Sequence, residues 1–131
     1  MTTNKKTIVI VDDDIDYLFQ LKIQVEKMGF EVKTAESQKD GEKLLKTFKP
    51  DLAIFDLMME NQDSGFILSY RLKKQYPDVP VIIATAVLQE TGLQFGLDSV
   101  EDRNWIKADL YLEKGLRSDQ LHKEINKLLK I

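Results

Sequence analysis

Four apolar runs in this sequence stop at residues able to bind a metal or handle phosphate. Thr7–Val11 runs into Asp12, Asp13 and Asp14, Leu52–Phe55 into Asp56, and Val81–Ala84 into Thr85, while Leu110–Leu112 leads to Lys114. Carboxylates gathered within a few Å of one another repel, unless some are protonated or a cation sits among them. All-oxygen ligation suits a hard divalent ion, Mg²⁺ or Mn²⁺, with waters completing the shell. A carboxylate facing such an ion can act as a nucleophile toward phosphorus and form an aspartyl phosphate. The phosphoryl oxygens then need neutralising. The metal can take one, the Lys114 ammonium another and the Thr85 hydroxyl a third, with backbone N–H groups after Asp56.

These groups converge only if the runs are neighbouring parallel strands. Short β-branched runs separated by helical patterns read as buried parallel strands. Strand one is expected at Thr7–Val11, a more exposed strand two at Glu31–Ala35, strand three at Leu52–Phe55, strand four at Val81–Ala84 and strand five at Asp109–Leu112. Asp14 or a neighbour caps a first helix with Leu18, Leu21, Val25 and Met28 on one face, and Gly29 takes the left-handed cap at its end. Ser37, with Asp40 three residues on, opens a second helix that buries Leu44, Leu45 and Phe48. Ser64 is expected to cap a third helix carrying Phe66, Ile67, Tyr70 and Leu72. Ser118 is expected to cap a last one with Leu121, Ile125, Leu128 and Leu129. The stretch 86–108 holds Gly92 and Gly96 and shows no helical stripe, so a long irregular segment is expected there. Trp105 reads as packing for that segment. The alternation predicts an α/β three-layer sandwich with a five-stranded parallel sheet. A flavodoxin-like strand order, 2-1-3-4-5, puts the switch point between strands one and three, beside Asp12, Asp13 and Asp56.

At 131 residues, the chain is expected to form one domain over 1–131. With 43% hydrophobic and 31% charged residues it is globular in composition, and no cysteine is present for disulfides or thiolate metal sites. The net charge of −3 and the lack of a one-sided basic stripe speak against direct nucleic-acid binding. No run approaches the ~20 apolar residues of a membrane span, and a cytoplasmic location is the expectation.

Together these motifs resemble the receiver domain of a two-component response regulator across nearly the whole chain. The resemblance implies Asp12 and Asp13 as the acidic metal-binding pair. It implies Asp56, within Asp51–Met59, as the phospho-accepting and metal-binding aspartate. Met58 falls where the family's backbone carbonyl ligates Mg²⁺. Val81–Ala86 matches the strand-four motif and gives Thr85 as the switch hydroxyl. Ala108–Lys114 matches the strand-five motif, with Tyr111 as the rotating aromatic and Lys114 as the phosphate-binding lysine. Read from residue type alone, Tyr111 is equally a fixed core aromatic. The implied partners are a histidine kinase or histidine phosphotransfer protein and an unknown downstream protein. The chain departs from the family pattern in three places. Gly115 follows the lysine where a proline is usual, Glu60 replaces a loop proline, and 29 positions separate Thr85 from Lys114, so the fourth-helix region is atypical.

The expected activity is a phosphorylation-switched receiver without an output domain, which catalyses only its own phosphorylation and dephosphorylation. The alternative is a receiver-like interaction module not controlled by phosphorylation. A haloacid-dehalogenase-like phosphatase would need a second carboxylate two residues after the nucleophile, where Met58 stands. Met58 and Val87, each two residues beyond a site residue, are expected to flank the path of an attacking water. Neither side chain can orient that water, which favours a long-lived phosphoryl group. His122, the one histidine, reads as a boundary residue without a relay role.

Overall fold

The computed structural model describes residues 5–85 and 108–131. Val87, Trp105 and all of the expected irregular segment except Ala108 lie outside the described residues. Five parallel strands form one sheet in the order β2-β1-β3-β4-β5. They are β1 (Thr7–Val11), β2 (Glu31–Ala35), β3 (Leu52–Asp56), β4 (Val81–Thr85) and β5 (Leu110–Glu113). The helices among the described residues are α1 (Ile15–Lys27), α2 (Gln38–Thr47), α3 (Ser64–Gln75) and a C-terminal helix, Ser118–Leu129.

Strand alternation sends successive side chains to opposite faces, which builds two cores. Val9, Val11, Phe55 and Ile83 pack with Leu45 of α2 and with Phe66, Leu68 and Leu72 of α3. Ile8, Ile10, Ile54 and Ile82 pack with Leu18, Leu21 and Val25 of α1 and with Leu121 and Ile125 of the C-terminal helix. The sheet is thus covered on both sides, and β1, β3 and β4 have no polar face from Ile8 to Val11, Leu52 to Phe55 and Val81 to Ala84.

Two caps form as the sequence predicts. The Asp14 side chain accepts from the Tyr17 N–H at 3.2 Å, and Ser37 Oγ accepts from the Asp40 N–H at 3.0 Å. Gly29 ends α1 with φ +100°. Two expected caps do not form. Asp63 occupies the cap position of α3, and Ser64 is its first helical residue. Buried beneath the loop, the Ser64 hydroxyl instead accepts from the Asn61 N–H at 3.0 Å. Arg117, not Ser118, is the cap residue of the last helix, and its side chain makes no capping bond to the helix backbone. The face of α3 also differs: Phe66, Leu68, Ser69 and Leu72 are buried, Ile67 is half-buried and Tyr70 is exposed. Strand β5 starts one residue later than expected, and Asp109 just before it uses its side chain at the far edge of the sheet. There Asp109 Oδ2 accepts from the Val81 N–H at 2.8 Å and meets Lys73 Nζ at 2.7 Å.

Candidate functional site

The site lies at the carboxyl ends of β1, β3, β4 and β5, as the strand order requires. Val11 pairs with Phe55, Asp56 with Ala84 and Thr85 with Glu113, so the residues that end each strand line up across the sheet. Asp12 and Asp56 are buried at 2% and 7% exposure, whereas Asp13 is exposed. Ligand oxygens of Asp12, Asp13 and Asp56 all lie within 4.8 Å of one another.

Lys114 reaches across from β5 into this cluster. Its Nζ lies 2.8 Å from Asp12 Oδ2 and 3.1 Å from Asp56 Oδ1. The Lys114 N–H donates to the Thr85 carbonyl at 2.7 Å, which fixes the lysine's backbone beside the end of β4. Gly115 follows with φ +92°, a left-handed turn that a glycine takes without strain. Burial works against the Lys114 charge. The hydrogen bonds and attraction of Asp12 and Asp56 outweigh it and hold the ammonium pKa above its ordinary value. Burial also raises the Asp56 carboxyl, and with repulsion from Asp12 it is pushed up to about 7 against the pull of Lys114.

Three carboxylates against one ammonium leave two negative charges in a pocket that Asp12 and Asp56 share out of water. A hard divalent cation matches that deficit and the all-oxygen donor set. The donor set therefore fits Mg²⁺ or Mn²⁺, with Asp12, Asp13 and Asp56 as the residues to hold it.

The remaining expected residues take distinct places. Thr85 is buried at the end of β4. Tyr111 is half-buried on β5, registered with Ile83, and meets Phe66 edge-on at 6.3 Å between ring centroids. By strand alternation, Thr85 and Tyr111 share one face of the sheet on adjacent strands. The Met58 side chain is 50% exposed in the loop after β3. His122 lies away from the site, edge-on to Phe30 at 6.2 Å.

Two contributors, Tyr17 and Gly65, were not singled out in the sequence, and a third, Glu60, stood out there only as the replacement of a loop proline. Tyr17, in the first turn of α1, lies under Lys114, whose Nζ is 4.8 Å from the ring centroid. Burial raises the Tyr17 pKa, with Lys114 opposing and Asp12 and Asp56 adding to the rise. The signal was its place three residues after the Asp14 cap. Gly65 gives its N–H to the Leu57 carbonyl at 2.8 Å. A Cβ there would stand 2.6 Å from the Asp56 carbonyl oxygen and 2.9 Å from Leu57 Cα, so only glycine fits against the chain at Asp56. Glu60 accepts from two N–H groups at the start of α2, Gln38 at 2.7 Å and Lys39 at 3.1 Å. Burial is the largest single influence and works to raise its carboxyl, but these bonds and one from its own backbone N–H together outweigh it and hold the carboxyl below the ordinary range. No local pattern announces that tie, which spans more than twenty residues.

Comparison with known proteins agrees with this geometry. The family model described as "Response regulator receiver domain" matches residues 8–126. The chain is 35% identical over 127 residues to Protein PilH of Pseudomonas aeruginosa, covering 93% of this chain and 96% of that protein. It is 34% identical over 137 residues to the probable transcriptional regulator ycf27 of Cyanophora paradoxa, covering 99% of this chain and 51% of that protein. It thus spans about half the length of that longer relative. A CheY-like receiver domain structure from Methanospirillum hungatei superposes with a TM-score of 0.78 at 26% identity, covering 97% of this chain and 95% of that one. TrrA of Thermotoga maritima, solved in complex with Mg²⁺-BeF, has a TM-score of 0.77 at 26% identity, with 94% and 98% coverage. With a doubly covered parallel sheet, an acidic cluster at its carboxyl edge and a matching family model over most of its length, the chain belongs to the response regulator receiver domain family.

Proposed function

We propose that Asp56 accepts a phosphoryl group from a phosphohistidine on a histidine kinase or phosphotransfer protein, in a reaction dependent on Mg²⁺ or Mn²⁺. The observation that carries this reading is the meeting of Asp12, Asp13 and Asp56 within 4.8 Å, with Lys114 bonded to two of them. An Asp56 carboxylate oxygen attacks phosphorus in line. The P–O bond forms as the P–N bond to the imidazole breaks, and the leaving nitrogen keeps the bonding pair and takes a proton. A bound divalent cation supplies charge neutralisation at the phosphoryl oxygens. Asp12, Asp13 and the Met58 carbonyl would hold it beside Asp56.

Lys114 already sits against Asp56 Oδ1. It is placed to follow the charge onto a phosphoryl oxygen while keeping its bond to Asp12. Thr85 is proposed as the hydroxyl that closes on another oxygen, and Tyr111, on the same face, as the aromatic that answers the movement. Met58 and Val87 are proposed to slow hydrolysis, since neither offers a group to orient water. Among the described residues no helix is long and apolar enough to cross a membrane.

The test is intact-mass measurement after acetyl phosphate with Mg²⁺. One added phosphoryl group is expected, absent with EDTA and absent in Asp56→Asn. Labelling that persists in Asp56→Asn removes the assignment.

A further inference from the structure

The loop from Leu57 to Asp63 carries the Met58 carbonyl, and its ends are fixed by the sheet and α3. The Leu57 N–H donates to the Ala84 carbonyl at 3.1 Å, and the Leu57 carbonyl accepts from Gly65 at 2.8 Å. Between those ends Met59 alone packs against the core, while Met58 is half exposed and Glu60, Asn61 and Gln62 are exposed. Within the loop the Met59 N–H donates to the Asn61 carbonyl at 3.0 Å and the Asn61 N–H to Ser64 Oγ at 3.0 Å, and a further tie goes to another element. Glu60 Oε1 accepts from the Gln38 N–H at 2.7 Å and Oε2 from the Lys39 N–H at 3.1 Å. Asn61 Nδ2 adds a bond to Gln38 Oε1 at 3.2 Å.

Helix α2 is a suitable anchor. Its third N–H is already satisfied by Ser37 Oγ, so the Glu60 carboxylate completes the first turn where an anion is favoured. The helix is itself seated against the strand that delivers the acidic pair. A Cβ at Gly41 would lie 3.1 Å from Val11 Cγ2, one residue before Asp12. The Met58 loop and the Asp12–Asp13 turn are therefore referenced to the same helix.

We infer that Glu60 is a positioning residue, whose carboxylate fastens the loop after β3 to α2 and so holds the Met58 carbonyl in place for a divalent cation bound by Asp12, Asp13 and Asp56. This inference rests on the metal reading given above. The replacement of a loop proline by Glu60 then changes how the loop is held. A ring that restricts the backbone gives way to an ionic tie to a neighbouring helix.

Two variants cut the tie from opposite sides. Glu60→Ala removes the acceptors. Gln38→Pro removes one donor and the Asn61 contact without touching the loop. Proline is accepted at the first helical position, and Ser37 before it is extended at φ −157° and ψ 163°, as a residue preceding proline should be. Mg²⁺ affinity is measured by calorimetry on the EDTA-stripped full chain, with amide exchange at Lys39, and at Gln38 in the Glu60 variants, as a second readout. Both variants should raise the Mg²⁺ dissociation constant about three- to tenfold, less than loss of a direct partner of a ligand costs. Glu60→Gln should fall between them and wild type. At saturating Mg²⁺, phosphorylation by acetyl phosphate should return to the wild-type rate. A dissociation constant within about twofold of wild type in either cutting variant overturns the inference. So does a loss of phosphorylation that saturating Mg²⁺ fails to restore. Wild-type protein that binds no Mg²⁺ removes the metal reading itself, a result distinct from a tie that has no effect.

Discussion

At the scale of single residues, the site is governed by an excess of buried negative charge. The Asp56 carboxyl stands at about 7 against an ordinary 3.8. The folded protein therefore binds that proton more tightly than the unfolded chain does. The stability this lends is fully present below pH ~4 and is lost as pH rises to ~7. Asp56→Asn in EDTA should accordingly be more stable than wild type at pH 8, by on the order of 1–3 kcal/mol once the surviving Asp12–Lys114 pair is allowed for. At pH 4 the difference should vanish. Urea unfolding at the two pH values checks this, and a variant less stable than wild type at pH 8 contradicts it. The residue types of the site were legible in the sequence because each ends an apolar run. The partners of Glu60 and Tyr17 were not, because each contact depends on how a helix is oriented on the sheet. Neither spacing nor propensity specifies that orientation.

At the scale of elements, strands and most helix boundaries follow directly from apolar runs and side-chain caps. The errors cluster where a polar side chain had two possible uses. Ser64 reads as a cap by propensity, yet its hydroxyl serves the preceding loop through Asn61. On α3 Phe66 and Leu72 are buried as expected, whereas Leu68 and Ser69 take the buried places assigned to Ile67 and Tyr70. A helix packed closely against a sheet buries a wider arc than periodicity alone suggests. Gly65 is what permits that close packing. Gly65→Ala should destabilise by about 2 kcal/mol, because the new methyl meets backbone that cannot rotate away. It should also slow phosphorylation of Asp56 by displacing the residue's own backbone. Urea unfolding with a phosphorylation time course is the measurement, and wild-type values in both would show that the α3–β3 junction can yield.

At the scale of the whole molecule, the two cores hold the sheet from both sides, and its two edges are tied differently. At the carboxyl edge β4 and β5 are joined by the Lys114 N–H to the Thr85 carbonyl, inside the site. At the opposite edge Asp109 binds the first N–H of β4 and the Lys73 ammonium of α3. That second attachment is remote from any phosphoryl chemistry and has no reason to respond to it. Strands β4 and β5 are in effect hung from a fixed hinge, with the phosphate site at the free end of the door. Displacement on loading the site should grow along β4 and β5 from the hinge outward. With Mg²⁺ and beryllofluoride, amide shifts should be smallest at Val81 and Asp109 and largest at Thr85 and Lys114. Equal shifts along both strands would mean that they slide as units, whereas in Lys73→Ala, with the hinge pin drawn, the gradient itself should flatten.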